Sequence, residues 1–193
     1  MSSIMFWFFV WITLASTSIN PSSNELISKS LDQFPGFSSL KDSHEACPGH
    51  CESGWTHFDK NDACYKTFYN ANAYDAEYIC NTLGGHLTSI HSSDENMFVA
   101  ELAKMGKPYS EYRDLTWIGL WKEGKSGNWT WTDGTKVDYL RWATGALDSG
   151  YPCAMLYSDP HVDLRESILY QQWDDYHCAA TLRAFVCKKT ALY

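Results

Sequence analysis

The chain has 193 residues and a formal net charge of −8 at pH 7. This length allows one compact domain with an appendage and enough buried volume for a sizeable core. The acidic balance argues against nucleic acid and anionic membrane surfaces as partners, because both attract basic faces. Nine tryptophans and twelve tyrosines indicate a dense aromatic core and some aromatic surface for recognition.

An apolar run at residues 4–15 opens the chain. It is too short to cross a bilayer, which takes about 20 residues. Small residues at 16–18 suit a cleavage site, so residues 1–18 are predicted to be a secretory signal peptide. The first three residues carry no Lys or Arg, which leaves a short uncleaved membrane anchor as the alternative. Export predicts a secreted, extracellular protein with no membrane span after signal removal, and cysteines that form disulfides.

Residues 19–46 are rich in serine and show little hydrophobic periodicity. This composition predicts a linker or a loosely held tail. Cysteines and aromatic residues concentrate from Cys47 onward. A single domain without internal repeats is therefore predicted over residues 47–190.

Two amphipathic helices are predicted within this domain. Asn72 is the expected N-cap of the first, and the Gly84-Gly85 pair ends it. The second begins with a capping box formed by Ser92 and Glu95 and ends at Gly106. The apolar faces consist of Ala76, Ile79, Cys80 and Leu83 in the first helix and Phe98, Val99, Leu102 and Ala103 in the second.

The chain after the second helix has the pattern of β-structure. Residues 129–132 alternate with period two and precede an Asp133-Gly134 turn. Short apolar runs follow at 153–157 and 184–187. Two helices followed by several strands in one unit predict an α+β domain.

A series of short motifs runs through residues 51–187 in a fixed order. The strings are CESGW at 51–55, CY at 64–65, LTSIHS at 87–92, EN at 95–96, WIGL at 117–120, WTWTDG at 129–134, WDDYHC at 173–178 and FVC at 185–187. In this order they resemble the C-type lectin-like domain family in its long form, as a secreted single-domain member. The resemblance implies a double-loop fold, in which two helices flank antiparallel sheets and a long loop carries the ligand site.

Spacing alone leaves all fifteen pairings of six cysteines open. The resemblance implies the disulfides Cys51–Cys64, Cys80–Cys187 and Cys153–Cys178. Cys47 is left over, which predicts either a free thiol or a bridge to another chain, such as a disulfide-linked dimer. His44, Cys47 and His50 also have a spacing that could suit zinc, although Cys51 beside them is already paired in the implied framework.

The ligand site departs from the pattern of sugar-binding relatives, which hold Ca²⁺ through carboxylate and amide oxygens. Where the family has Glu-Pro-Asn or Gln-Pro-Asp, this chain has Ala146-Leu147-Asp148, and only Asp148 offers an oxygen. Tyr151 stands where an acid is expected before the next cysteine. Calcium needs six to eight oxygen ligands, so the resemblance implies an incomplete calcium site and no cofactor or metal. The candidate ligand-binding residues are Asp148, Trp173, Asp174 and Asp175.

A second calcium position occurs in some relatives. Ser89 and Glu95 match its pattern, whereas His91 and Lys188 replace acids. The ammonium group of Lys188 would then stand where the cation lies in those relatives. A structural salt bridge between Lys188 and Glu95 is therefore predicted in place of an ion.

Enzymatic chemistry has little support in the sequence. A D-S-G string at 148–150 resembles an aspartic protease motif, but that chemistry requires a second carboxylate that shares a proton, and there is no second copy. No G-x-S-x-G, phosphate-binding loop, H-E-x-x-H or dinucleotide fingerprint occurs. The protein is predicted not to be an enzyme and to have no catalytic residues.

The combined expectation is a secreted C-type lectin-like module that binds a carbohydrate or protein ligand without the usual calcium-dependent sugar site. The long polar segment 158–172, with Tyr151, Tyr157 and Tyr170, is a candidate recognition surface; a solvated loop is the alternative. Asn128 begins the sequon N-W-T and is the predicted N-glycosylation site. Two other functions stay open: a calcium-dependent lectin with a rearranged site, and an interaction protein that binds no sugar and is joined through Cys47.

Overall fold

The computed structural model describes residues 49–124, 127–163 and 167–193. These residues belong to a compact unit, Cys47–Tyr193. The predicted signal peptide, the serine-rich segment and Cys47 itself lie outside the described residues. Within the described ranges, no helix is both long and apolar enough to cross a membrane.

Helix α1 spans Ala73–Thr82 and has the predicted boundaries. The Asn72 side chain accepts a hydrogen bond from the backbone N–H of Asp75, as an N-cap does. After Leu83, Gly84 takes a left-handed backbone conformation with φ 78°, which ends the helix at the predicted place.

Helix α2 spans Ser93–Ala103 and begins at the predicted N-cap, Ser92. The helix was predicted to end at Gly106, but it ends three residues earlier. The backbone N–H groups of Met105 and Gly106 donate to the two carboxylate oxygens of Asp159, both at 3.0 Å. The buried carboxylate of Asp159 therefore binds the backbone just after the helix. Because Asp159 is distant along the chain, the sequence around the helix does not predict this contact.

Eight strands form one sheet in the described part of the chain. They are β1 Thr56–Phe58, β2 Ala63–Ala71, β3 His86–Leu87, β4 Thr116–Lys122, β5 Trp129–Trp131, β6 Cys153–Leu156, β7 Trp173–Tyr176 and β8 Leu182–Thr190. The main order is β1-β2-β8-β4-β6-β7, with β3 on β8 and β5 on β4. All pairs are antiparallel except β4 with β8. The α+β prediction is confirmed, and the parallel pair makes the sheet mixed.

The strands at the middle of the sheet are buried on both faces. In β4, Trp117 packs into one core cluster, and Ile118 and Leu120 pack into the other. Side chains alternate between the faces of a strand, so a strand buried on both sides reads as a continuous apolar run. The W-I-G-L motif is such a run.

The three implied disulfides are present. Cys51–Cys64, Cys80–Cys187 and Cys153–Cys178 close separations of 13, 107 and 25 residues. The second joins α1 to β8, and the third joins β6 to the turn that follows β7. The two ends of the domain also meet, because His50 and Leu192 exchange two backbone hydrogen bonds of 2.9 Å.

Candidate functional site

The three aspartates predicted to bind a ligand, Asp148, Asp174 and Asp175, are called the carboxylate site below. Asp174 and Asp175 are consecutive residues of β7, in which Trp173 and Asp175 are buried while Asp174 and Tyr176 are half-buried. Successive side chains of a strand point to opposite faces of the sheet. The two neighbouring carboxylates therefore have different surroundings.

Asp175 is 4% exposed. Its Oδ1 accepts a hydrogen bond from the Ser149 hydroxyl, and its Oδ2 has no hydrogen-bond partner among the described residues. A buried oxygen of this kind is costly to leave unpaired. It is the one feature of the carboxylate site that would suit an added cation.

Asp174 has partners of another kind. Its Oδ2 accepts from the hydroxyl of Tyr157 at 2.8 Å, and its Oδ1 accepts from the backbone N–H of Asp175 at 2.9 Å. Burial raises the pKa of Asp174, although both hydrogen bonds act in the opposite direction. Burial also raises the pKa of Tyr157, with Asp174 as the next cause. The pair forms a polar connection against the core, and Asp174 and Asp175 have different hydroxyl donors.

Trp173 is fully buried. Its Nε1 donates to the Asn96 side-chain oxygen at 2.7 Å, and its backbone exchanges hydrogen bonds of 2.8 Å with Arg141 and Ala143. Trp173 therefore has no exposed ring face on which a ligand could stack. The residue anchors the segment that leads to Asp148.

Asp148 is exposed, in the turn that follows Ala143. The preceding residue, Leu147, has φ 79°, a left-handed conformation that is uncommon for a side chain of this size. Within the described ranges, no group of three or more His, Cys, Asp or Glu residues could hold a metal ion. Calcium requires six to eight oxygen ligands, more than the described side chains of the carboxylate site gather at one place.

At the second position the predicted salt bridge is confirmed. Lys188 Nζ lies 2.6 Å from Glu95 Oε1 and 3.1 Å from the Ser89 hydroxyl. Glu95 is 2% exposed, and its Oε1 also accepts from the hydroxyl of Tyr65 at 2.6 Å. A tethered ammonium group therefore neutralises the buried carboxylate at this position.

The same contacts correct the predicted capping box. Ser92 Oγ accepts from the N–H of Glu95 at 3.1 Å, as expected. The Glu95 carboxylate, however, accepts from the N–H of His91 at 2.8 Å and not from that of Ser92. The attraction of Lys188 explains why this carboxylate turns into the domain.

The three tyrosines of the predicted recognition surface each have a different environment in the structure. Tyr157 is buried, the Tyr170 hydroxyl donates to Glu101, and Tyr151 packs against His177. Sequence reasoning missed Tyr112, which is 49% exposed and stacks on Tyr176 with ring centroids 5.4 Å apart. The period-two pattern of β7 could have placed Tyr176 on the face of Asp174, whereas Tyr112 comes from a distant 3-10 turn, Tyr112–Asp114.

Asp174 leads to a prediction about pH. A carboxyl group whose pKa is raised on folding costs stability above its folded pKa, and the cost disappears as the pH falls below its unfolded pKa of 3.8. We expect Asp174→Asn to unfold at a higher temperature than the parent at pH 7, and the difference to shrink towards pH 3. Differential scanning calorimetry across this range measures it.

Asp138→Asn is the matched control, because the hydrogen bond from His91 lowers the pKa of Asp138. Here the sign reverses: this variant should unfold below the parent at pH 7, and the deficit should shrink at low pH. A Tm difference of the same sign for both variants at pH 7 would contradict the assignment for Asp174.

The family model of the Lectin C-type domain matches residues 69–189 of this chain. C-type lectin lectoxin-Lio1 of Erythrolamprus poecilogyrus is 36% identical over 142 residues, which cover 72% of this chain and 79% of the relative.

Two solved structures are similar to the fold. The cow carbohydrate-recognition domain of CD23, crystallised with a GlcNAc2Man3 oligosaccharide, superposes with a TM-score of 0.60 at 26% identity, covering 75% of this chain and 99% of that domain. A calcium-independent type II antifreeze protein has a TM-score of 0.57 at 30% identity, covering 74% of this chain and 95% of the other.

Proposed function

Because the chain belongs to the C-type lectin family, we propose that it is a recognition module that binds a glycan or protein ligand without calcium at the carboxylate site. Domains of this family are binding modules for glycans or proteins and are not enzymes. Secretion, N-glycosylation at Asn128 and a disulfide through Cys47 are parts of the same proposal. Asn128 is exposed, as a glycosylation site requires.

The different hydrogen-bond partners of Asp174 and Asp175 are the main support for this proposal. Asp174 bonds to Tyr157 and Asp175 bonds to Ser149, so each carboxylate already has a hydroxyl donor. The Asp148 side chain is exposed. The calcium-independent antifreeze protein of the same fold supports the idea that this architecture does not require the ion.

A second candidate is a calcium-dependent lectin with a rearranged site. The unpaired, buried Oδ2 of Asp175 favours it, because a cation would satisfy this oxygen. The residue after Asp148, Ser149, already donates to Asp175 of β7, so the Asp148 turn lies beside that strand.

Thermal unfolding with and without calcium separates the two. A ligand at 100 times its Kd stabilises the folded state by about 2.7 kcal/mol, which raises the Tm of a domain of this size by several degrees. We expect no rise with 10 mM calcium relative to chelator, and glycan-array binding that is the same in both conditions. A rise that disappears in Asp175→Asn, together with array signals only in calcium, would establish the second candidate instead.

A further inference from the structure

The glycosylation sequon lies at the start of the short strand β5, which pairs with β4. Asn128 directly precedes this strand, and the threonine of the sequon, Thr130, is its middle residue. Both residues are exposed. A sugar attached to Asn128 would therefore leave the backbone on the surface of the β4–β5 hairpin, and the neighbouring strand determines what that sugar meets first.

The register between β4 and β5 places a tryptophan beside the sequon. The cross-strand partners of Leu120, Trp121 and Lys122 in β4 are Trp131, Thr130 and Trp129 in β5. Side chains that are directly opposite in an antiparallel pair lie on the same face, so Trp121 shares a face with Thr130. Because side chains alternate along a strand, Asn128, two residues before Thr130, points to this face as well.

Asn128 and Trp121 are therefore diagonal neighbours on one face of the hairpin. Diagonal neighbours in an antiparallel pair are about 7–8 Å apart, which is within reach of aromatic and long side chains. An N-linked glycan begins at the side-chain amide of asparagine, so its first sugar ring extends the reach of Asn128 further. The first ring of the glycan can thus lie against the Trp121 indole without any change in the backbone.

The Trp121 indole is accessible for this contact. Among the tryptophans in the described ranges, Trp121 is the most exposed, at 42%. The tryptophan of the sequon itself, Trp129, faces the other side of the hairpin. Its ring centre lies 4.8 Å from that of Trp142 and 4.8 Å from the ammonium of Lys122. On the side of Asn128, the hairpin therefore presents the indole of Trp121.

A sugar ring and an indole have complementary surfaces. One face of N-acetylglucosamine, the first sugar of an N-linked glycan, consists mainly of C–H groups, whose hydrogens are slightly positive. The face of an aromatic ring is negative because of its quadrupole, so the two faces attract each other. The contact also removes apolar surface of the indole from water, which is favourable, while the hydroxyl groups at the edge of the sugar stay hydrated.

We propose that the indole of Trp121 binds the first N-acetylglucosamine of a glycan at Asn128 and holds this glycan against the β4–β5 hairpin. The proposal rests on glycosylation of Asn128, which is part of the proposed function, and adds a sugar contact that the carboxylate site does not use. Because the contact joins two strands that separate on unfolding, the sugar stabilises the folded state. The glycan is then a structural part of the domain.

The test uses the full chain secreted from eukaryotic cells that add only high-mannose glycans. Endoglycosidase H trims such a glycan to a single N-acetylglucosamine, and mass spectrometry establishes whether Asn128 carries it. Nuclear magnetic resonance then observes the methyl signal of the N-acetyl group. We expect this signal upfield of its position in N-acetylglucosamine linked to free asparagine, because the ring current of the Trp121 indole shields groups above its face.

Trp121→Leu and Trp121→Phe are a matched pair, since both keep an apolar side chain and only the second keeps a ring. The upfield shift should disappear in Trp121→Leu and persist in Trp121→Phe. The trimmed sugar should raise the Tm by about 2–4 °C relative to Asn128→Gln, and by less than half as much when Trp121→Leu is present in both chains. Tyr69→Ala removes a 54% exposed ring of β2 and should change neither result.

Two results would overturn the proposal, and they differ in what else they remove. An unmodified Asn128 would reject the glycosylation in the proposed function and the contact together. A modified Asn128 whose methyl signal is unshifted, or equally shifted in Trp121→Leu, would reject the contact with Trp121 and leave the glycosylation established. An equal rise in Tm with and without Trp121 would likewise assign the stabilisation to the sugar alone and reject the contact.

Discussion

Replacing Cys80 and Cys187 together by alanine is expected to lower the free energy of unfolding by about 5 kcal/mol. The bridge closes a separation of 107 residues, and in the chain-entropy model a longer loop restricts the unfolded chain more strongly. Both residues are fully buried, so the lost sulfur atoms also leave unfilled space. Since domains of this size are stable by about 5–15 kcal/mol, much of the variant should be unfolded at 37 °C.

The double variant Cys51→Ala/Cys64→Ala is the matched control, with a separation of 13 residues. It should lose about 3 kcal/mol in the same model. Urea unfolding at 25 °C under nonreducing conditions measures both values. If the short-loop variant lost as much stability as the long-loop variant, loop length would not be the source of the stabilisation.

Lys188→Met should lower the free energy of unfolding by about 3–5 kcal/mol, because it leaves a buried carboxylate without its counter-charge. Glu95 is 2% exposed, and Lys188 supplies the ion pair that neutralises it. Methionine keeps most of the length and the apolar stem of lysine, so the change removes mainly the charge. Urea unfolding at pH 7 gives the value.

Lys60→Met is the matched control, since Lys60 and Asp94 are joined at 2.5 Å but their side chains are 63% and 52% exposed. Exposed pairs contribute about 0–1 kcal/mol. Adding Glu95→Gln to Lys188→Met should recover part of the loss, because the uncompensated charge is then gone. Equal losses in Lys188→Met and Lys60→Met would show that burial does not set the strength of the Lys188 pair.

Local signals predicted the helix starts well. Asn72 and Ser92 cap α1 and α2 as their side chains suggest, because capping depends on a few neighbouring residues. The end of α2 could not be predicted, since it depends on Asp159, more than fifty residues away along the chain. The disulfide pairing likewise came from the family resemblance, because spacing does not determine it.

The candidate site shows the same limit. The resemblance brought Asp174 and Asp175 together as one ligand set, but the alternation of β7 gives them different hydrogen-bond partners. The prediction for Lys188 and Glu95 succeeded because both partners were matched to a known pattern.

The pairing of His50 with Leu192 has a consequence for engineering. Because these two residues hold the entering and leaving segments side by side, a short glycine linker could join them without crossing the sheet. New termini could then be cut into an exposed loop, and every strand would keep its neighbours, as circular permutation requires. The permuted chain would begin and end in that loop and not beside β1 and β8. A reporter or anchor fused to the new termini would therefore lie at a different place on the domain, and its interior would stay undisturbed.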